Sequence, residues 1–254
     1  MRRKMITLLA VFVFAYLALC ALLFFYQRSM IYFPQPRSPG SDSTVITLST
    51  EGEQVLVTTR LHNGPNALVY FGGNAEDVSY SLPGLSAAFP NYALYLLHYR
   101  GYGGSSGTPS EAALFADAIA LFDKVRIGHE SIVAVGRSLG SGVAVHLASV
   151  RPVARLVLVT PYDSLQELAA NQFPYFPIRW LLRDKFESWR YAGKVAAPTL
   201  VVAAEHDEVI PRASTEALYA RFRKGVASLK VVTGTSHNTI SESADYIPLL
   251  RGTP

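Results

Sequence analysis

The chain has 254 residues, half of them hydrophobic and 17% charged, which excludes a disordered polymer and leaves room for one sizeable domain with a short appendage. Its net charge of +4 is uneven: five of the 23 basic residues (Arg2, Arg3, Lys4, Arg28, Arg37) fall in the first 37 positions, which hold no acid, leaving 18 bases against 19 acids elsewhere. The main body is therefore near neutral with no phosphate-binding stripe, which excludes nucleic acid as a partner, and the single cysteine, Cys20, excludes a disulfide framework or a thiolate metal cluster.

Residues 5–26 (MITLLAVFVFAYLALCALLFFY) run 22 positions without a charge. A helix of that length spans about 33 Å, enough to cross a bilayer core. The bases at 2–4 keep the N-terminus cytoplasmic by the positive-inside tendency, weakened but not reversed by Arg28 and Arg37. The main domain then faces outward, to the periplasm or exterior of a bacterium or the lumen of a eukaryotic compartment. A cleaved signal peptide is the rival reading. Its apolar region usually stops within about 15 residues at an A-x-A-like site, and neither feature is clear. A lipoprotein site at LALC-A meets a bulky Leu19 and apolar residues beyond Cys20. Residues 1–37 thus read as an anchor with its flanks, with Tyr26, Tyr32 and Phe33 as interfacial aromatics and 34–43 (PQPRSPGSDS) as a polar linker.

Residues 38–254 read as one catalytic domain. Two strands are predicted at 45–48 and 54–61 around the turn Glu51-Gly52-Glu53. Six short apolar runs follow, at 67–71, 93–98, 132–136, 156–159, 200–204 and 229–233, each bounded by turn-forming residues. Helical stretches are predicted at 111–125, 139–150, 164–171 and 212–223. Alternating strands and helices give an α/β architecture, a mostly parallel eight-stranded sheet with helices on both faces and an antiparallel edge. The aromatic segment 173–192 (FPYFPIRWLLRDKFESWRYA) reads as a small cap.

Ligands collect at the carboxyl ends of such strands. There the strand 132–136 runs through GRSLG (136–140) into a helix, the setting that G-x-S-x-G requires for a nucleophile elbow. A sharp, strained turn lifts the Ser138 hydroxyl above the sheet, and Gly136 and Gly140 keep side chains out of the bend. The Leu139 backbone N–H, at the helix N-terminus, becomes an oxyanion donor. Serine then needs a base and the base an orienting carboxylate. Of the six histidines, His237 in TGTSHNT alone follows both nucleophile and acid at a strand end. His98 precedes the serine, His146 faces a packed layer, His62 and His129 lie in turn-like settings, and His206 adjoins the acid. Asp207 in AAEHDEVIP fits the acid best, with Glu205, Glu208 and Asp163 as alternatives. The second oxyanion donor is the Asn74 N–H, in the Gly72-Gly73-Asn74-Ala75 loop after 67–71.

With Ser138, Asp207 and His237 assigned, further motifs match through nearly the whole chain: YQRSMIYFPQP (26–36), FGGNAED (71–77), YRGYGGSSGTPSE (99–111), GRSLGSG (136–142), TPYDSL (160–165), EHDEVIP (205–211) and SHNTI (236–240). On these the chain resembles the single-anchor branch of the α/β-hydrolase-domain proteins. That branch includes eukaryotic depalmitoylating thioesterases, lysophospholipid lipases and bacterial membrane-bound homologues often called serine aminopeptidase-like. The resemblance implies the α/β-hydrolase fold and places YRGYG beside the active site, where Arg100 and Tyr102 shape the pocket or serve structure. Two departures stand out. Gly72 occupies the position where the family commonly has His, and the short C-terminus abbreviates or removes the last helix.

The chemistry expected is acyl transfer to water through an acyl-enzyme on Ser138, with no metal and no organic cofactor. In the cap, Phe173, Tyr175, Phe176, Trp180, Leu181 and Leu182 either line an acyl site near the bilayer, favouring a lipid ester or thioester, or simply cover the sheet. A peptidase acting on exposed N-termini is an alternative that needs a carboxylate for the amine, and none is assignable. A catalytically silent, membrane-tethered binding protein is the alternative outside enzymes.

Overall fold

The computed structural model describes residues 1–38 and 44–252. The expected linker at 34–43 therefore lies partly outside the described residues. The N-terminal helix α1 (Arg2–Ile31) runs beyond both ends of the apolar stretch and is long and apolar enough to cross a membrane. Its last turns are fixed by polar contacts the apolar pattern does not contain. Gln27 Nε2 donates to the Leu181 carbonyl at 3.1 Å and Arg28 pairs with the buried Asp184 at 2.9 Å.

An eight-stranded sheet follows, in the order β1-β2-β4-β3-β5-β6-β7-β8. β1 (Thr44–Thr50) and β2 (Glu53–Arg60) form the antiparallel edge, and β2 also pairs antiparallel with β4 (Ala93–Leu97). β3 (Asn66–Phe71), β4, β5 (Ser131–Arg137), β6 (Arg155–Val159), β7 (Thr199–His206) and β8 (Ala227–Ser236) are mutually parallel. The period-2 alternation buries both faces: Val69 and Phe71, Ala134, and Leu158 pack into one core layer, and Leu68 and Tyr70, Val135, and Val157 into the other. The predicted strands thus lie at their expected places in an α/β-hydrolase sheet.

The first layer is covered by α3 (Glu111–Arg126), α4 (Leu139–Val150) and α8 (Arg212–Tyr219). In α3, Ser110 caps the Ala113 N–H at 3.2 Å, and Leu114, Ala118, Leu121, Phe122 and Val125 form the buried stripe at helical spacing. The opposite layer is covered by α2 (Leu82–Ala88) and the six-residue α9 (Tyr246–Arg251). α2 gives no periodic signal in sequence because it has seven residues, of which only Leu85 and Ala88 are buried. Between β6 and β7 come α5 (Leu165–Gln172), α6 (Ile178–Leu181) and α7 (Trp189–Ala192), the last two of four residues each.

Candidate active site

The centre of the site is the junction of β5 and α4. Ser138 sits there at φ 49°, ψ −117°, a conformation costing on the order of 1–3 kcal/mol for a residue with a side chain. Its neighbours hold it. The Ser138 N–H donates to the Val159 carbonyl at 2.9 Å, and its carbonyl accepts from the Ser141 N–H and hydroxyl at 2.9 and 2.6 Å. A Cβ on Gly136 would stand 2.4 Å from the Gly140 carbonyl oxygen, and one on Gly140 would stand 2.1 Å from that of Phe71. The two glycines of G-x-S-x-G are thus dictated by backbone passing backbone.

β7 and β8 bring the other two residues in. Their register slips between Ala204 and His206, and each strand ends in a loop at the same edge. Asp207, just past β7, accepts from the N–H groups of Val209 (3.0 Å) and Ile210 (2.7 Å) through Oδ1. His237, just past β8, is buried. Its Nδ1 lies 3.0 and 2.9 Å from the two Asp207 oxygens, and its Nε2 lies 2.9 Å from Ser138 Oγ. A carboxylate fixing one ring nitrogen leaves the other to accept a hydroxyl proton, the arrangement that activates a serine oxygen.

The competing groups have other engagements. His98 is buried against the Thr58 hydroxyl at 2.8 Å, and burial pulls its pKa down to about 4. Burial also lowers His146 to about 4, where it stacks on Phe115 with ring centroids 3.9 Å apart. His129 lies between the Tyr95 hydroxyl and the Gly64 carbonyl, and His206 is exposed beside Glu205. Glu205 accepts from the Gly234 N–H, Glu208 from the His237 N–H, and Asp163 from the Ser214 hydroxyl.

The Asn74 and Leu139 backbone N–H groups find no protein acceptor among the described residues, and both residues line the same cavity as Ser138. The Gly72–Ala75 loop is held by a residue the sequence reading does not single out. Glu76 accepts from the Gly73 N–H at 2.6 Å, from the Tyr70 and Ser81 hydroxyls at 2.7 Å each, and from Arg137 Nη1 at 3.3 Å. An acid two positions past Asn74 was its only trace in sequence. The Asn74 side chain is equally engaged: Oδ1 accepts from the Tyr102 hydroxyl and the Phe33 N–H, and Nδ2 donates to the Ile31 carbonyl.

A largely apolar cavity of about 450 Å³ opens beside Ser138, between α5, α6 and the end of α1. Phe173 lines it, together with Leu168, Leu181 and Ile210. Three expected substrate contacts lie elsewhere. Tyr102 is buried with its hydroxyl committed to Asn74 and Phe33, so it reaches the site only through the oxyanion loop. Phe176, ahead of α6, stacks on Tyr16 of α1, and Trp180 on α6 is 87% exposed. Arg100 is a structural cation, held by Asp117 at 2.7 Å and Glu51 at 2.8 Å. The wall that sequence reasoning misses belongs to α1: Leu23, Gln27, Met30 and Ile31. A second, more polar cavity of about 780 Å³ shares only Asn74 with the first. No group of three or more metal-ligating side chains occurs among the described residues.

Comparison with known proteins agrees with this fold. Residues 66–187 match the family model described as the alpha/beta hydrolase fold. An uncharacterized protein of Mycobacterium tuberculosis is 38% identical over 232 residues, covering 84% of this chain and 80% of the relative. The alpha/beta hydrolase domain-containing protein aho-3 of Caenorhabditis elegans is 34% identical over 198 residues, covering 75% of this chain. That match spans 58% of the nematode protein's length. Among solved structures, Est1E of Butyrivibrio proteoclasticus superposes with a TM-score of 0.68 at 14% identity, over 81% of this chain and 96% of that one. A likeness at that identity speaks for the fold alone.

Proposed function

The chain belongs to the α/β-hydrolase family, and from that premise we propose that it is a serine hydrolase cleaving ester or thioester bonds of acyl, lipid-like substrates. The observation that carries this reading is the unbroken chain from Ser138 Oγ to His237 Nε2 (2.9 Å) and from His237 Nδ1 to Asp207 (2.9 Å). In the proposed reaction His237 takes the hydroxyl proton as Ser138 Oγ attacks the acyl carbonyl carbon. The resulting oxyanion accepts from the Asn74 and Leu139 N–H groups, each such donor contributing roughly 3 kcal/mol to transition-state stabilisation. Collapse expels the alcohol or thiol, which receives the proton from His237. A water activated by the same imidazole then releases the acid and restores Ser138.

An acyl or lipid-like substrate is favoured by the apolar cavity beside Ser138, which Phe173 lines. An aminopeptidase would need a free carboxylate near Ser138 for the substrate's amine. The acid of the oxyanion loop, Glu76, already accepts four donors. In this proposal residues 1–37 form a single-pass anchor with a cytoplasmic N-terminus, and 38–254 form the catalytic domain outside the cytoplasm. No metal or cofactor enters the reaction.

The test is a substrate panel: p-nitrophenyl esters and acyl thioesters of rising chain length against aminoacyl amides. The proposal predicts turnover of esters and thioesters with kcat/KM rising as the acyl chain fills the cavity. Turnover of the amides in preference to every ester would overturn it.

A further inference from the structure

We propose that residues 173–182 of the cap are embedded in the outer leaflet beside α1, so that the exposed Tyr175 and Trp180 contact lipid and the Ser138 cavity borders the acyl-chain region. The proposal rests on the reading of α1 as a membrane anchor.

It follows from where the cap touches α1. Arg28 pairs with Asp184, and Gln27 binds the Leu181 carbonyl and the Arg183 N–H. Further down, the Arg183 guanidinium lies 4.1 Å from the centre of the Phe24 ring. Lower still, Phe176 stacks on Tyr16 with centroids 5.9 Å apart, and the Tyr16 hydroxyl donates to the Tyr175 carbonyl at 3.0 Å. The cap therefore follows α1 for twelve residues, about 18 Å at helical rise. Tyr16 lies ten residues inside the uncharged stretch that ends at Tyr26, about 15 Å, or half the thickness of a hydrocarbon core. Arg2, Arg3 and Lys4 hold the other end of the helix at the opposite surface, so α1 cannot slide outward without dragging three charges into lipid. A cap segment touching Tyr16 then lies inside the leaflet.

The chemistry of the segment suits that depth. Residues 173–182 (FPYFPIRWLL) carry one charge, Arg179, whose long side chain is mostly exposed and pairs with Glu167 at 2.9 Å, within reach of the headgroups. Past Arg179, charges on α1 and on the cap resume together, at Arg28 on one and Arg183, Asp184 and Lys185 on the other. A tyrosine hydroxyl and a cap carbonyl would each be costly alone in hydrocarbon, and Tyr16 and Tyr175 satisfy one another. Tyr175 and Trp180 are 86% and 87% exposed, an expensive display of aromatic surface to water but not to lipid. Leu23, Met30, Phe173, Ile178 and Leu181 line the cavity from the same two elements. A chain lodged in the leaflet therefore reaches Ser138 between the anchor and the cap without crossing water.

The experiment uses the full chain with Trp189→Phe, which leaves Trp180 as the single indole, reconstituted into phosphatidylcholine vesicles with or without brominated acyl chains. Flotation after an alkaline carbonate wash reports the anchor, and Trp180 emission reports the cap. The proposal predicts vesicles that float with the protein and blue-shifted Trp180 emission, quenched by bromolipid and shielded from aqueous iodide. Tyr175→Trp, placed in a Trp180→Phe, Trp189→Phe background, should behave alike. Floating protein whose Trp180 is quenched by iodide and indifferent to bromolipid overturns the embedded cap while leaving the anchor intact. Protein that stays with the wash overturns the anchor and the inference together.

Discussion

The side-chain amide of Asn74 donates to the carbonyl of Ile31 at 2.5 Å, tying the loop that carries a proposed oxyanion donor to the last residue of the N-terminal helix. The same side chain accepts from Phe33 N–H and the Tyr102 hydroxyl at 3.0 and 2.8 Å. The loop is thus held by the end of α1 and the residues just after it.

Asn74→Ala keeps the backbone N–H and removes these three contacts together with the Oδ1 acceptor of the Ala75 N–H. Displacing a catalytic donor by a fraction of an ångström lowers turnover, so kcat should fall by roughly 10- to 100-fold, with KM changed much less. Asn74→Asp, which still accepts but cannot donate to Ile31, should fall between. Steady-state kinetics on a soluble ester measures both. Wild-type kcat in Asn74→Ala would show that the side chain does not position the loop.

Asp207→Asn should leave the fold in place, since an amide oxygen can still accept from Val209 and Ile210, while misorienting His237. We expect kcat to drop by on the order of 10²- to 10⁴-fold with an unchanged melting temperature. A drop smaller than about 10-fold, well short of that range, would move the acid's role to Glu205, Glu208 or Asp163.

Gly140→Ala should fail through packing. Its methyl would stand 2.1 Å from the Phe71 oxygen and 2.6 Å from that of Gly72, forcing β3 and α4 apart. A loss of about 3 kcal/mol or more is expected in urea unfolding, where Gly128→Ala, with nothing within 4 Å, should stay within about 0.5 kcal/mol of wild type. Equal stability of the two variants would contradict the close approach.

His98 gives a pH dependence. Burial holds its folded pKa at about 4, below the unfolded value of about 6.5, so the unfolded chain binds the extra proton between those limits. Its contribution is present above pH 6.5 and lost as pH falls toward 4, on the order of 3 kcal/mol over that window. Replacing it by Asn, which stays neutral, should flatten the acid limb of a stability-versus-pH curve. An unchanged limb would exclude His98 as its source.

Much of this site is legible in sequence because its signals are local. The elbow needs Gly136, Ser138 and Gly140 in one turn, and the ends of β7 and β8 are marked by small polar loops around Asp207 and His237. The pocket is another matter. Leu23 and Met30 look like any apolar residue of a membrane span, and only tertiary packing brings them beside Ser138. Aromatics in 173–182 announce a hydrophobic segment without saying which face they take, so Phe173 lines the cavity while Phe176 and Trp180 face elsewhere. Glu76 escapes for a similar reason: its four donors come from positions 70, 73, 81 and 137.

The central claim is that Ser138 is an activated nucleophile, and covalent labelling tests it most directly. Purified full-length protein in detergent should react with a fluorophosphonate probe. Mass spectrometry should place the adduct on Ser138, and Ser138→Ala should lose it while melting like wild type. An adduct that survives Ser138→Ala, or folded wild-type protein that never labels, would contradict the account.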